Sequence, residues 1–500
     1  MTAEVEDAQQ ELIEAARPFE EWYDSLQQQF PRSCIPPTDA TNDLVTAQAN
    51  SLVSIHRWYS LKEAFDAELP TWLCHWMTEH YAHVPTVVCD PFLGGGTTGV
   101  SLAQQGISVT GVEYNPFIAF VSATKAAITQ VSPAEFEQAV IRMETAQLPT
   151  TPLPVPELVT LSTPEYSDPA DVQVLLAAHQ LTCELEGSPA IRDMLRLGIA
   201  AAVEDVFNLR KDGRALRHVP KPGPKAVPLL LSLRWRQILA DVRDYHEHHG
   251  RDNGGTPAAQ AEGGAKGTAP QSVAPTATPP VPVRADKPLF DVYRGTATNL
   301  KEVRTVEGAE ACIRNECFDT IMYSPPYLNN FDYSEIYKLE LWLLHFVQSH
   351  DAWRNLRLGT LRSHHSLAFP QTTHLADDPR TRAIAEQLTA MGESRCIRDD
   401  ERWRLKQEIA GYFDDMYLAL KEQWRVLKPG GVLTYVVANS RHYYLPIATD
   451  VVIAEIARCL GFELLDLVVL RKRNGRTRQK LFLRESAVFL RKPHSQGTVT

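Results

Sequence analysis

The sequence predicts an α/β fold in which a mostly parallel sheet carries helices on both faces. Residues 86–90 form a short β-branched run that ends in Asp90, and a glycine-rich loop and a helical run over 99–105 follow it. Residues 108–113 form a second strand that also ends in an acid. Strand, loop, helix and strand in this order begin a parallel sheet, and ligands of such sheets lie at the carboxyl ends of the strands.

The remaining elements follow from the spacing of apolar residues, which is helical in some segments and that of short buried strands in others. The predicted helices cover 11–30, 65–81, 412–424 and 449–460, and residues 131–246 are mostly helical. The predicted strands cover 290–295, 320–323, 432–437, 463–469 and 486–490, with a turn over 427–431.

The length of 500 residues exceeds one ordinary core and predicts several units. With 44% hydrophobic and 22% charged residues, no long apolar run and an acidic N-terminus unlike a signal peptide, the chain is expected in the cytoplasm, without a membrane partner. The eight cysteines form no Cys-x-x-Cys pair, which argues against a zinc ribbon or a disulfide framework, so no metal is expected.

Composition divides the chain into a core in three parts, two insertions and peripheral segments. In order, these are an N-terminal helical extension (1–50), the first core part (51–130), a helical insertion (131–246), a linker (247–285), the second core part (286–342), a second insertion (343–411), the third core part (412–492) and a tail (493–500). The linker is predicted to be disordered, because its Gly, Pro, Ala, Thr and Ser residues cannot bury enough apolar surface to offset the entropy of ordering.

Residues 324–327 read Ser-Pro-Pro-Tyr and directly follow the predicted strand 320–323. Two prolines fix φ and remove two backbone donors, which leaves a rigid loop whose carbonyls only accept hydrogen bonds. A hydroxyl, carbonyls and an aromatic ring side by side are suited to grip a planar group that carries an NH2. The alternative is a Pro-Pro turn that ends a strand.

Residues 90–98 read Asp-Pro-Phe-Leu-Gly-Gly-Gly-Thr-Thr and form the glycine loop. Glycines allow a sharp turn and the close approach of a ligand, but no Gly-Lys-Ser/Thr follows, so a nucleoside triphosphate is not expected. The loop has no basic residue, which favours a cationic or zwitterionic ligand. Glu113, at the end of the next strand, is placed to accept from ribose hydroxyls, and Asp90 adds negative charge. S-adenosylmethionine fits this description, because it has a cationic sulfonium, a zwitterionic amino-acid group and a ribose. The alternative is a glycine loop without a ligand.

A net charge of −11 disfavours a nucleic-acid partner for the whole chain, although local patches matter more than the sum. Two basic segments, 210–236 and 471–484, could meet phosphates. The alternative is a solvated basic face. The candidate DNA-binding residues are Arg210, Lys211, Arg214, Arg217, Arg473, Arg476 and Arg478.

Together the two motifs resemble the amino-methyltransferases that act on exocyclic nitrogens of DNA bases, over about 54–125 and 286–492. The resemblance implies a Rossmann-like class I methyltransferase fold with a mostly parallel seven-stranded sheet, and S-adenosyl-L-methionine as cofactor. It implies a catalytic role for Ser324, Pro325, Pro326 and Tyr327. It implies cofactor binding by Asp90, Pro91, Phe92, Gly94, Gly96, Thr97, Thr98, Glu113, Asn115, Thr296 and Trp58, with aromatic core as the alternative for Trp58.

The Ser form of the catalytic motif resembles the N4-cytosine branch, whereas Asp or Asn forms are commoner for N6-adenine. The expected function is methylation of a flipped cytosine in double-stranded DNA, with a cognate restriction endonuclease or defence-system proteins as further partners. The alternatives are N6-adenine in DNA, an amino group in RNA, and a non-catalytic cofactor-binding scaffold. The insertion 131–246 is the candidate DNA-recognition region, and 343–411 is the competing one.

Overall fold

The computed structural model describes residues 3–33, 39–149, 151–212, 215–221, 223, 225–249, 289–394, 399–442, 444–472 and 483–494. Apart from the end of a helix at residues 247–249, the predicted linker lies outside the described residues, as do Arg214, Arg473, Arg476 and Arg478. None of the described helices is long and apolar enough to cross a membrane.

Helices cover most of the segments outside the sheet. They are α1 (Ala3–Gln28), α2 (Asp39–Leu44), α3 (Leu69–Tyr81), α4 (Thr97–Ala103), α5 (Pro116–Ala126), α6 (Pro133–Thr145), α7 (Val159–Ser162), α8 (Pro169–Glu184), α9 (Pro189–Val206), α10 (Val227–His249), α11 (Tyr333–Ile336), α12 (Lys338–Leu343), α13 (His350–Leu358), α14 (His374–Asp377), α15 (Arg382–Gly392), α16 (Asp399–Val426) and α17 (Thr449–Leu460). Short 3-10 helices lie at Ala49–Ser51, His56–Trp58 and Ala127–Gln130.

Within the described residues, the strands form one large sheet and two hairpins. They are β1 (Arg32–Ser33), β2 (Val87–Asp90), β3 (Ser108–Glu113), β4 (Leu209–Asp212), β5 (Ala215–His218), β6 (Phe290–Thr296), β7 (Asn299–Thr305), β8 (Glu310–Ala311), β9 (Phe318–Tyr323), β10 (Leu427–Ala438), β11 (Ser440–His442), β12 (Leu445–Ile447), β13 (Glu463–Lys472) and β14 (Arg484–Arg491). The hairpins pair β4 with β5 and β11 with β12.

The described part of the large sheet has ten strands in the order β1-β13-β14-β10-β9-β2-β3-β6-β7-β8. Its centre, from β10 through β9, β2 and β3 to β6, is parallel, whereas β14 runs antiparallel to both of its neighbours and β7 and β8 form an antiparallel edge. The predicted α/β class with a mostly parallel sheet is confirmed, but the count of seven strands is not, because β1 extends one edge and β7 and β8 extend the other.

Two hydrophobic clusters lie on opposite faces of the sheet, and successive strand residues alternate between them. Val88 belongs to one cluster and Cys89 to the other, and Val432 and Leu433 divide in the same way. Helices α5, α8, α9 and α10 contribute to the first cluster, and α1, α16 and α17 to the second. Because both faces are covered, β2 and residues 432–438 of β10 are buried at nearly every position rather than at every second one.

Most predicted elements are present, with shifted ends. Residues 108–113 and 449–460 form β3 and α17 at the predicted bounds, whereas α3 begins four residues late, with Pro70 in its first turn, a position that proline favours. The predicted turn at 427–431 is wrong. These residues belong to β10, where the register with β9 shifts between Leu427 and Val432, and the Gly430 N–H donates to the Lys492 carbonyl at 2.7 Å.

Candidate active site

A cavity of about 340 Å³ opens where the carboxyl ends of β2, β3, β6 and β9 meet. These strands are parallel neighbours in the sheet, so the loops that follow them share one edge. Of the residues predicted to bind cofactor or to act in catalysis, those that line this cavity are Pro91, Phe92, Gly94, Thr97, Glu113, Asn115, Thr296, Ser324 and Pro326.

Asp90 shapes the glycine loop from behind the cavity. Its side chain is 1% exposed, and its two carboxylate oxygens accept from the Phe92 N–H at 3.0 Å and from the Thr98 hydroxyl at 2.7 Å. Burial raises the pKa of Asp90 to about 7. Gly96, with φ of +82°, caps α4 in a left-handed conformation that suits glycine. Asp90, Gly96 and Thr98 are therefore part of the loop's framework and not of the cavity wall.

Glu113 connects β3 to the glycine loop. Its Oε2 accepts from the Gly94 N–H at 3.0 Å and its Oε1 from the Asn115 N–H at 2.7 Å. Burial raises the pKa of Glu113 to about 7. Asn115 in turn caps α5, because its Oδ1 accepts from the Phe117 N–H at 3.0 Å. The carboxylate thus lines the cavity from a fixed position.

A buried lysine, which the sequence did not single out, supports the loop from below. Lys125 on α5 is 3% exposed and donates from Nζ to the carbonyls of Tyr59, at 3.0 Å, and Gly95, at 3.1 Å. Burial lowers the pKa of Lys125 to about 7. No sequence signal marks this lysine, because its role depends on a contact between segments that are distant in the chain.

The loop after β9 brings Ser324 and Pro326 to the same cavity. The Ser324 hydroxyl donates to the Tyr327 hydroxyl at 3.4 Å, which leaves the lone pairs of Ser324 available as acceptors. Pro325 is buried, and neither it nor Tyr327 is among the residues that line the cavity. The two predicted motifs therefore meet at one cavity, although not every residue of either motif lies on its wall.

The second insertion closes one side of this cavity, which the sequence did not predict. Residues 358–364, Phe369, Pro370 and Thr372 lie on the wall. Arg362 holds the segment in place through ion pairs with Asp414, at 3.1 Å, and Asp415, at 2.6 Å, on α16. The weak apolar periodicity of 343–411 gave no signal for this arrangement.

Asp332 joins the catalytic loop to the second insertion. It caps α11 by accepting from the Ser334 N–H at 3.0 Å, and it pairs with Arg357 at 2.8 Å. Burial opposes ionisation of Asp332, but the nearby His364, the Ser334 hydroxyl and Arg357 outweigh it and lower its pKa to about 2. This carboxylate stays ionised and fixes the loop end.

Two predicted site residues lie elsewhere. Trp58 is 1% exposed and donates from Nε1 to Asp241 at 2.9 Å, so it belongs to the core beside α10 and not to the cofactor cavity. Lys211 is buried as well. It donates to the Tyr59 hydroxyl at 2.8 Å and forms an ion pair with Glu340, so its ammonium is not available to a phosphate.

The other described basic candidates lie on the β4–β5 hairpin. Arg210 is exposed, and Arg217 forms an exposed ion pair with Asp212 at 3.3 Å. The hairpin therefore presents less free positive charge than the sequence suggested.

The chain is similar to several known proteins. Residues 318–490 match the model of a family described as DNA methylase. The type II methyltransferase M.BsoBI from Geobacillus stearothermophilus is 23% identical over 90% of this chain and 88% of its own, and the type II methyltransferase M.AvaI from Nostoc sp. is 24% identical over 97% and 96%. In the solved structure of the rRNA methyltransferase aviRa from Streptomyces viridochromogenes, the match covers 89% of this chain and 93% of that chain, with 10% identity and a TM-score of 0.28. The chain is thus similar to a DNA methylase family over residues 318–490 and to two type II methyltransferases over most of its length.

Proposed function

We propose that the protein transfers a methyl group from S-adenosyl-L-methionine to the exocyclic N4 amine of a flipped cytosine in double-stranded DNA. One observation carries the proposal: Glu113 and the glycine loop share a single cavity with Ser324 and Pro326. This arrangement supports the proposal, because a nucleoside cofactor beside Glu113 and an amine beside Ser324 would be within reach of each other.

The residues on the cavity wall fit the proposed cofactor. Glu113 offers a carboxylate to ribose hydroxyls, and Phe92 and Leu93 offer an apolar surface to the adenine ring. Thr296, at the end of β6, adds a hydroxyl to the same wall. When bound there, S-adenosylmethionine supplies the activated methyl group, and the protein's contribution is to hold it in line with the amine.

The catalytic loop makes the amine a better nucleophile. The nitrogen lone pair of cytosine's NH2 is conjugated with the ring, so the site must allow the nitrogen to rehybridise. Ser324 Oγ and the Pro325 carbonyl would accept hydrogen bonds from the two N–H groups, and Tyr327 would stack on the base. Because neither Pro325 nor Tyr327 lines the cavity, these two roles require the loop to shift when the base enters. As the N–C bond forms, one N–H proton leaves the nitrogen for solvent. Such preorganised acceptors act through position and charge, and the base must leave the duplex stack to reach them.

The serine of the motif is the ground for choosing N4-cytosine. No Asp or Asn stands at position 324, the position that such residues occupy in most N6-adenine enzymes that the motif resembles. Double-stranded DNA in the cytoplasm is the proposed substrate, and a cognate restriction endonuclease is the proposed functional partner.

Methyl incorporation from labelled S-adenosylmethionine into cytosine-containing duplex DNA tests the proposal. We expect Ser324→Ala to lower turnover by about 10²-fold, because a preorganised acceptor is lost, and to leave cofactor affinity unchanged. Ser51→Ala, which removes an exposed hydroxyl outside the cavity, is the matched control. An unchanged rate in Ser324→Ala would overturn the acceptor role.

A further inference from the structure

A second cavity, of about 470 Å³, lies directly beside the first. The segment after the catalytic loop separates the two, and its side chains alternate: Asn330 and Asp332 line the second cavity, whereas Phe331 and Tyr333 line the first. Arg362 and Phe369 line both. Whatever occupies the second cavity is therefore a close neighbour of the group held at Ser324.

An exposed aromatic ring forms one side of the second cavity. Trp403 on α16 is 54% exposed, and the Arg404 guanidinium lies 5.4 Å from the centre of its ring. Leu405 and Ile409 of the same helix are buried in the core, so helical spacing turns 403, 404, 407 and 408 towards the cavity. An exposed indole beside a guanidinium is suited to stack on a nucleobase.

A buried acceptor on the same helix also lines the second cavity. Glu408 is 3% exposed, and its Oε2 accepts from His365 Nδ1 at 2.7 Å. The second oxygen, Oε1, has no hydrogen-bond partner among the residues that the structure describes. A buried carboxylate oxygen without a donor costs free energy, and an N–H supplied by a ligand in this cavity would offset that cost.

The contacts of His365 keep this acceptor fixed. The His365 backbone N–H donates to Asn330 Oδ1 at 3.1 Å, which turns the Asn330 amide NH2 towards His365 Nε2 at 3.2 Å. Nε2 then accepts, so Nδ1 carries the proton that it donates to Glu408. Asn330 itself has a φ of +64°, a left-handed conformation held between the catalytic loop and the second insertion.

We propose that the second cavity binds a nucleobase of the DNA next to the target base, and that the second insertion thereby reads the sequence around the methylated position. The inference rests on the proposed function and extends it. A base fits better than a phosphate, because the acids Asp332, Glu335 and Glu408 line the cavity, and amino and imino groups of bases are the donors that a carboxylate reads. Of the two arginines in the lining, Arg362 is paired with Asp414 and Asp415. The other, Arg404, lies beside the Trp403 ring.

The first insertion is the weaker candidate for this role. Lys211, in the middle of its basic hairpin, is buried against Glu340, and the exposed Arg217 is paired with Asp212. The second insertion, in contrast, forms walls of both cavities.

The test measures KM for duplex DNA, kcat and direct DNA binding by fluorescence anisotropy for Trp403→Ala and Glu408→Gln. We expect Trp403→Ala to raise KM for DNA by about 10-fold to 100-fold, the loss of one stacked base, and to change kcat and cofactor affinity little. Glu408→Gln should change base preference at one flanking position in a DNA library with randomised flanks. Leu229→Ala, which truncates an exposed apolar side chain on α10, is the matched control, and thermal melting verifies folding.

The outcomes separate this inference from the proposed function. If the wild-type protein methylates DNA and both variants keep its KM and flanking preference, the inference is wrong and the proposed function stands. If the wild-type protein binds DNA without methylating it and Trp403→Ala abolishes binding, the inference stands and the proposed function is wrong. A wild-type protein that neither binds nor methylates DNA overturns both.

Discussion

At the scale of single residues, hydrogen bonds orient the side chains of the cavity and leave their oxygens able to accept further hydrogen bonds. The Ser324 proton is directed to Tyr327, so the oxygen faces the cavity as an acceptor. The Glu113 carboxylate is oriented by two backbone N–H groups and still lines the cavity. In both cases the function depends on oxygen lone pairs that these contacts leave free.

The Ser324–Tyr327 contact can be tested by Tyr327→Phe. The variant keeps the ring for stacking but removes the hydroxyl that orients Ser324, so we expect kcat to fall by about 5-fold, equivalent to ~1 kcal/mol for a neutral hydrogen bond. Cofactor affinity should not change, because Tyr327 is not on the cavity wall. Steady-state kinetics measure both, and an unchanged kcat would show that Ser324 needs no orienting partner.

Cofactor binding should depend on pH through Glu113. Burial raises its pKa to about 7, and a protonated carboxyl is a poorer acceptor for ribose hydroxyls. We expect affinity to be constant above about pH 7 and to fall below it by up to about 10-fold per pH unit. Glu113→Gln should bind weakly and with a shallower slope, and a residual slope would come from Asp90, whose pKa burial also raises to about 7.

Calorimetric titration of S-adenosylmethionine across this range measures the effect. The free energy of unfolding should respond in the opposite direction. Because both acids have raised pKa values in the folded protein, their ionisation removes stability as pH rises from their ordinary values to about 7. Affinity that rises on acidification would contradict the assignment of Glu113.

At the scale of elements, the sequence predicted best those strands and helices whose type is determined by one pattern, the spacing of apolar residues. The apolar run 432–437 is typical of a strand buried on both faces, and the spacing of 449–460 is typical of a helix, as the structure has them. The strand β7 escaped prediction, because its Asn, Lys, Glu and Arg residues belong to an exposed antiparallel edge. Residues 427–431 have the local sequence of a turn. Only their position in the pairing of β10 with β9 makes them part of a strand.

A substitution at the contact between α4 and β6 tests why a glycine, Gly99, follows the glycine loop. A Cβ added at Gly99 would lie 2.1 Å from ring atoms of Phe290. We expect Gly99→Ala to lower the free energy of unfolding by about 1–3 kcal/mol, the usual cost of overpacking, despite the better helix propensity of alanine. Urea unfolding measures this. The double variant Gly99→Ala/Phe290→Leu should recover part of the loss, and a single variant as stable as wild type would refute the packing argument.

At the scale of the whole molecule, the site is assembled from segments that are far apart in the sequence. The two motifs and Glu113 could be found from residue types alone, since each follows a strand. The contribution of the second insertion could not, because Arg362 and Phe369 acquire their place through tertiary contacts with the catalytic loop and α16. Lys211 was predicted as a DNA-binding residue for the same reason, because the sequence shows the charge of a residue but not its burial.

The buried pair Lys211–Glu340 connects the first insertion to the segment after the catalytic loop. Glu340 is 0% exposed and also accepts from the Tyr59 hydroxyl at 2.8 Å. We expect Lys211→Met to lower the free energy of unfolding by about 3–5 kcal/mol, because it leaves a buried carboxylate without its cation. Lys211→Met/Glu340→Leu should recover most of this loss in thermal or urea unfolding, whereas equal losses in both variants would show that the pair has no coupled role.

The central claim is that an oxygen-lined loop and a cofactor cavity act together on the amine of a DNA base. Mass analysis of nucleosides from DNA methylated by the purified protein tests it most directly. We expect N4-methylcytosine with the wild-type protein and almost none with Ser324→Ala. N6-methyladenine would preserve the amine chemistry and overturn the choice of base, and 5-methylcytosine or an unmodified product would contradict the claim itself.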